Sequence, residues 1–151
     1  MLVEKINIQK GKIIMNWWIY KCNSKNNSYQ GQYGDWEDYF RDPTRHWGST
    51  EWIPALEKLQ KGDLIIAYQT DRNELVGIVK VRQSSEQDNF VYLEVVEKFI
   101  NPAKVRPLRK SNPQIASIPA FQPGLIQTIY EISLSDVQEL LKFAGFAFEA
   151  L

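Results

Sequence analysis

His46 is the only histidine and Cys22 the only cysteine, so acid–base and nucleophilic chemistry have few owners in this chain. A catalytic triad needs a Ser or Cys oriented by a His, and no Gly-x-Ser-x-Gly turn occurs. His46 therefore reads as a surface loop residue, and Cys22, inside an apolar run, as a buried structural thiol. Without a Cys/His cluster there is no metal-ligand spacing. Neither glycine pattern that cradles phosphates is present. Carboxylates such as Glu37 and Asp38 are adjacent, which points them apart on a helix or a strand. No catalytic residue, cofactor or metal ligand is assigned, and a binding module rather than an enzyme is the expected class.

These residue types are suited to holding a flat molecule. Aromatic residues make up 13% of the chain and include five tryptophans. Trp17, Trp18, Tyr29, Tyr33, Trp36, Trp47, Trp52 and Tyr68 all fall near polar stretches. A nucleobase presents two π-faces to sandwich and one edge to hydrogen-bond. Asn23, Ser24, Ser49, Thr50, Gln69 and Thr70 carry groups that can read that edge. The competing reading is that most of these rings are core.

Eighteen basic and eighteen acidic side chains cancel, so an anion site has to be a local patch. Lys98, Lys104, Arg106, Arg109 and Lys110 fall in one segment and are the candidate phosphate contacts. Asp35, Glu37, Asp38 and Asp42 form an acidic counterpart, so the expected surface is dipolar.

The elements that must position these residues follow from periodicity and punctuation. At 151 residues one domain is expected, spanning 15–151, with 1–14 a disordered extension and Met15 an alternative start. "NWWIYKCN" alternates as a strand, with Trp18, Tyr20 and Cys22 on one face and Trp17, Ile19 and Lys21 on the other. Residues 23–35 are polar loop, and "DWEDYF" adds a helical turn. "STEWIPALEKLQKG" predicts a short amphipathic helix ended by Gly62. "DLIIAYQT" and "ELVGIVKVRQ" predict a hairpin around "DRN", and "NFVYLEVVEKFI" a further strand. Residues 101–124 carry five of the seven prolines and predict a surface segment with at most one helical turn near Asn112. "LIQTIYEIS" returns to strand, and "SLSDVQELLKFAG" predicts a closing helix capped by Ser133. The expected class is α+β, a curved, mainly antiparallel sheet or pseudo-barrel with flanking helices. No apolar run approaches the roughly 18 residues of a membrane span, and no signal peptide is visible, so a cytoplasmic protein without a membrane partner is expected.

"NWWIYKCN", "WGSTEWIPALEKLQKGDLIIAYQT" and "ELVGIVKV", taken in order, resemble the EVE domain of the PUA-like superfamily over about residues 16–82. "PAKVRPLRKSNPQI" and "LIQTIYEISLSDVQELLK" resemble that family's later basic segment and its final strand and helix. "WGSTE" is also similar to the related YTH domain. The resemblance implies a PUA-like pseudo-barrel with an aromatic pocket for a modified base in DNA or RNA. It implies a pocket made by Trp18, Tyr20, Lys21, Asn23, Ser24, Trp47, Ser49, Thr50, Tyr68, Gln69 and Thr70, with Gln127 and Thr128 from the C-terminal match. The chain departs from the family where Asn23-Ser24-Lys25 replaces a Ser-Glu-Pro-like sequence. It also lacks a second cage tryptophan, for which Phe90 or Tyr92 would substitute. The alternative is a domain that takes a small planar ligand or a protein partner without nucleic acid.

Overall fold

The computed structural model describes residues 16–22, 36–41, 47–48, 58–83, 90–122 and 128–145. Residues 1–14, the polar loop and nearly all of the helix expected after Thr50 lie outside the described residues. Lys58, at that helix's end, is helical.

Among the described residues six strands carry the fold: β1 (Trp17–Cys22), β2 (Trp47–Gly48), β3 (Leu64–Gln69), β4 (Glu74–Gln83), β5 (Phe90–Lys104) and β6 (Ile129–Ile132). Their order is β2-β5-β4-β3-β1-β6. β1 and β3 run parallel, with Trp17 beside Leu64 and Lys21 beside Tyr68. The other pairs are antiparallel. A parallel pair needs a crossover, and residues 23–63 supply it, with α1 (Trp36–Arg41) and β2 on the way. β2 and β6 do not pair with each other among the described residues, so the sheet is mixed and open. The expected α+β class and the β3–β4 hairpin are therefore borne out.

Alternation along the strands sorts two cores. Trp17, Ile19, Leu64, Ile66, Tyr68, Tyr130 and Ile132 lie in one, and Trp18, Tyr20, Cys22, Ile65, Ala67 and Ile129 in the other. The expected split of β1 holds. α1 closes the second core with Trp36 and Tyr39, joined by Leu59. α2 (Val105–Ser111), α3 (Pro113–Ala116), a 3-10 turn (Pro119–Phe121) and α4 (Leu134–Phe143) close the first. Ser133 caps α4 as expected, its side chain accepting from Asp136 N at 3.2 Å.

The proline-rich segment differs from its expected surface course. Its first residues complete β5, and residues 105–121 fold into α2, α3 and the 3-10 turn, with Val105, Ile115, Ile118, Ala120 and Phe121 buried. Pro113 and Pro119 stand in the first turns of their helices, where a missing N–H costs nothing. The prolines start short helices, and the apolar residues between them turn to the sheet.

Close approach fixes one glycine. A Cβ at Gly77 would lie 2.5 Å from the Glu97 carbonyl oxygen and 2.6 Å from Phe40 Cζ. Only glycine lets α1 and β5 approach β4 at this point.

Candidate nucleic-acid interface

The "GD" of the family resemblance has a structural origin. Gly62 adopts a φ of +95°, a conformation that glycine reaches without strain. The turn buries the next residue, Asp63, at 2% exposure. Its carboxylate accepts from Trp18 Nε1 at 3.0 Å, Gln60 N at 3.0 Å and Asn16 N at 3.2 Å. Burying a polar group is costly unless it is hydrogen-bonded, and these three donors meet that requirement.

Three residues expected in the pocket are frame residues instead. Trp18 is 3% exposed, with its indole N–H on Asp63. Tyr20 is equally buried, edge-on to Trp36 at 5.7 Å, and its carbonyl accepts from Trp36 Nε1 at 3.1 Å. Gln69 is fully buried; its Oε1 accepts from Trp36 N at 2.8 Å and its Nε2 donates to Asp71. Gln69 thus holds the first amide of α1, which a helix leaves unpaired. Trp17 and Trp36 are also core, so the core reading holds for much of the aromatic concentration.

The sheet brings together another set at its far end. Lys21 N donates to the Thr128 carbonyl at 2.8 Å, while Thr70 N and Oγ1 both reach the Cys22 carbonyl, at 2.8 and 3.0 Å. Lys21 places Nζ 4.7 Å from the ring centre of Tyr130, and burial lowers its pKa. Tyr68, its neighbour across β3, packs edge-on against Phe121 at 5.3 Å. Burial raises the Tyr68 pKa, while Arg109 and then Arg106 pull it down.

Asn73 ties the basic segment to this end. It adopts a φ of +56°, a region that Asn tolerates better than most residues. Its Nδ2 donates to Tyr68 Oη at 2.9 Å, its carbonyl accepts from Val105 N at 2.9 Å, and its Oδ1 accepts from Arg106 N. The β3–β4 turn therefore holds the start of α2 and sets Arg106 and Arg109 near Tyr68. Sequence reasoning missed Asn73, although an Asn in a hairpin turn is itself a signal for positive φ.

The remaining cations divide. Lys104 pairs with Glu74 at 2.8 Å, and Lys110 is exposed on α2. Lys98 lies in the field of Glu37, which Arg72 holds below the usual carboxylate range. Lys98 thus sits beside part of the acidic group rather than opposite it. Trp47 lies across from Val91 at the beginning of β5, whereas Lys104 closes β5 beside Glu74. Asn23, Ser24, Ser49, Thr50, Gln127 and the Trp47 side chain lie outside the described residues.

No protein-family model matches the sequence, and no curated protein does. Solved structures do match. Protein Atu2648 of Agrobacterium tumefaciens is 18% identical, with a TM-score of 0.63 over 88% of this chain and 95% of that one. The human THYN1 protein in complex with 5-methylcytosine-containing DNA is 12% identical, with a TM-score of 0.66 over 87% and 99%. The YTH domain of Zygosaccharomyces rouxii MRB1 in complex with N6-methyladenosine RNA is 14% identical, with a TM-score of 0.53 over 89% and 92%. At these identities the likeness is one of fold, and that fold is of the PUA-like type.

Proposed function

We propose that the chain is a non-catalytic module that recognises a modified or flipped nucleobase in DNA or RNA. The observation that carries this reading is the Asn73 tie, which sets Arg106 and Arg109 beside the polar end of the sheet formed by Lys21, Thr70 and Thr128. A polar edge beside cations is part of what a base attached to a phosphate backbone requires. Trp47 is the proposed stacking ring, with Asn23, Ser24, Ser49, Thr50 and Gln127 supplying polar groups. Arg106, Arg109, Lys104, Lys110 and Lys98 hold the backbone. The solved relatives named above with methylated DNA and methylated RNA support the reading by analogy of fold.

The test is a panel of matched oligonucleotides, methylated and unmodified, bound to wild type and to Trp47→Ala. Stacking contributes about 1–3 kcal/mol per base, so the variant should lose about ten-fold or more in affinity for the modified strand while remaining folded. An unchanged preference in the variant would sink the role of Trp47. Salt-insensitive binding of a free planar molecule would favour the small-ligand alternative.

A further inference from the structure

Ile100 stands out of the surface more than any other large apolar side chain described, at 91% exposure against 45% for Phe143 and 39% for Leu134. It belongs to an outward bulge of β5. Lys98 pairs with Gly77 and Ala103 with Leu75, so residues 99–102 stand opposite Val76 alone. Both feet of the bulge are anchored, since Phe99 and Ala103 lie in the core at 4% exposure. Pro102 restricts the backbone between them. The result is a single apolar side chain held out on a stiff support.

Its surroundings distinguish between partners. Lys98, Asn101 and Lys104 are exposed around it, so among the described residues the apolar area is one side chain wide. A specific protein interface covers roughly 800 Å² on each partner, with an apolar centre. Lys98 and Lys104 flank the tip and Arg106 follows. Of the nearby acids, Glu74 is paired with Lys104, which leaves Lys98 and Arg106 as the cations offered on either side; Glu37 is paired with Arg72, Asp71 accepts from Gln69, and Glu97 is half-buried. Lys104 is level with Glu74 and Glu74 with Gln69, so the bulge shares the end of the sheet that holds Lys21, Thr70 and Thr128.

We propose that Ile100 is an apolar wedge for base-paired nucleic acid, entering the stack of a duplex beside the base that is turned out toward the sheet's end. This rests on the reading of the module as a base reader and narrows its ligand from any strand to a duplex. Ile is among the side chains that separate base steps in this way, and flanking cations can follow the two backbones. Filling the vacated space offsets part of the cost of unstacking a base.

The experiment uses the full chain with 5-methylcytosine DNA and N6-methyladenosine RNA, each as a duplex and as a single strand, with 2-aminopurine beside the modified base. Wild type should bind a modified duplex and raise its 2-aminopurine fluorescence. Ile100→Ser should weaken duplex binding about ten-fold and abolish the fluorescence rise, with single-strand affinity within about two-fold of wild type. Ile100→Leu should retain both signals. Equal losses on duplex and single strand, or none on either, would overturn the wedge. If wild type prefers the modified base in single strands but not in duplexes, the wedge falls and the reader reading stands. If it distinguishes modified from unmodified base in neither, both fall. Self-association in sedimentation that Ile100→Ser removes, with duplex binding unchanged, would assign Ile100 to a contact with a second copy and overturn the wedge.

Discussion

Trp18 Nε1 donates to Asp63 Oδ2 at 3.0 Å, joining the start of β1 to the turn before β3 from 45 residues away. The same carboxylate accepts two backbone amides, so it organises a parallel strand pair that no hairpin could register. Asp63→Ala leaves three donors without their acceptor. It should destabilise the domain by about 3 kcal/mol, seen as a lower urea midpoint with an unchanged m-value. Trp18→Phe keeps a smaller aromatic ring, loses the indole N–H and leaves a cavity in the core, and should cost about 2–4 kcal/mol.

Gly77 makes a second demand on stability. Its missing Cβ leaves room for the Glu97 carbonyl, which is backbone and cannot move aside, and for Phe40, which can. Gly77→Ala should cost about 1–3 kcal/mol by overpacking. Phe40→Leu should recover only part of that loss in thermal melts of the double variant. Full recovery would show that the β4–β5 backbone contact is not the limiting one.

Asn73 separates fold from binding. Asn73→Gly keeps access to positive φ but removes the side-chain bonds to Tyr68 and Arg106, at a stability cost of about 1 kcal/mol. Asn73→Ala should cost about 1 kcal/mol more because it also strains the turn. Both variants should weaken nucleic-acid binding, because Arg106 and Arg109 lose their support and Tyr68, one of the residues of the proposed pocket, loses the hydrogen bond that holds its hydroxyl.

The acid side of the stability profile has an identifiable contributor. Glu139 accepts from Asn112 Nδ2 at 2.7 Å and from Lys142 Nζ at 3.0 Å, and the Lys142 and Asn112 hydrogen bonds hold its pKa below the ordinary 4.5. A carboxylate with a depressed native pKa stabilises fully above its unfolded value and loses that contribution as pH falls through the native one. Glu139→Gln should therefore be less stable than wild type at neutral pH, and the difference should shrink in urea melts below the ordinary glutamate range. A gap that stays constant with pH would assign the effect to packing.

Periodicity made much of the frame legible. The alternation of "NWWIYKC" gave the two faces of β1, "DRN" marked the hairpin, and Ser133 with Asp136 marked the start of α4. Residues 101–124 were not legible as packed structure, because proline density signals a loop unless helix starts are considered. Composition could not sort the pocket from the core, since Trp18, Tyr20 and Gln69 have the residue types of a base site. Partners distant in sequence, Asp63 and Trp36, engage them instead. Ile100 was hidden for a related reason: within "EKFIN" nothing marks a bulge, which exists only in the register between β4 and β5.

The most direct test of the reader function is equilibrium binding of wild type to matched modified and unmodified oligonucleotides across a salt series. Each phosphate contact contributes about −0.7 to −0.9 to the slope of log affinity against log salt. With the five proposed cations engaged, a slope of about −3.5 to −4.5 is expected, and removing Arg106 and Arg109 together should make it shallower by about 1.4–1.8. Modified strands should bind more tightly than unmodified ones at every salt concentration. Equal affinity for the two across the panel, with a slope near zero, would contradict nucleobase recognition outright.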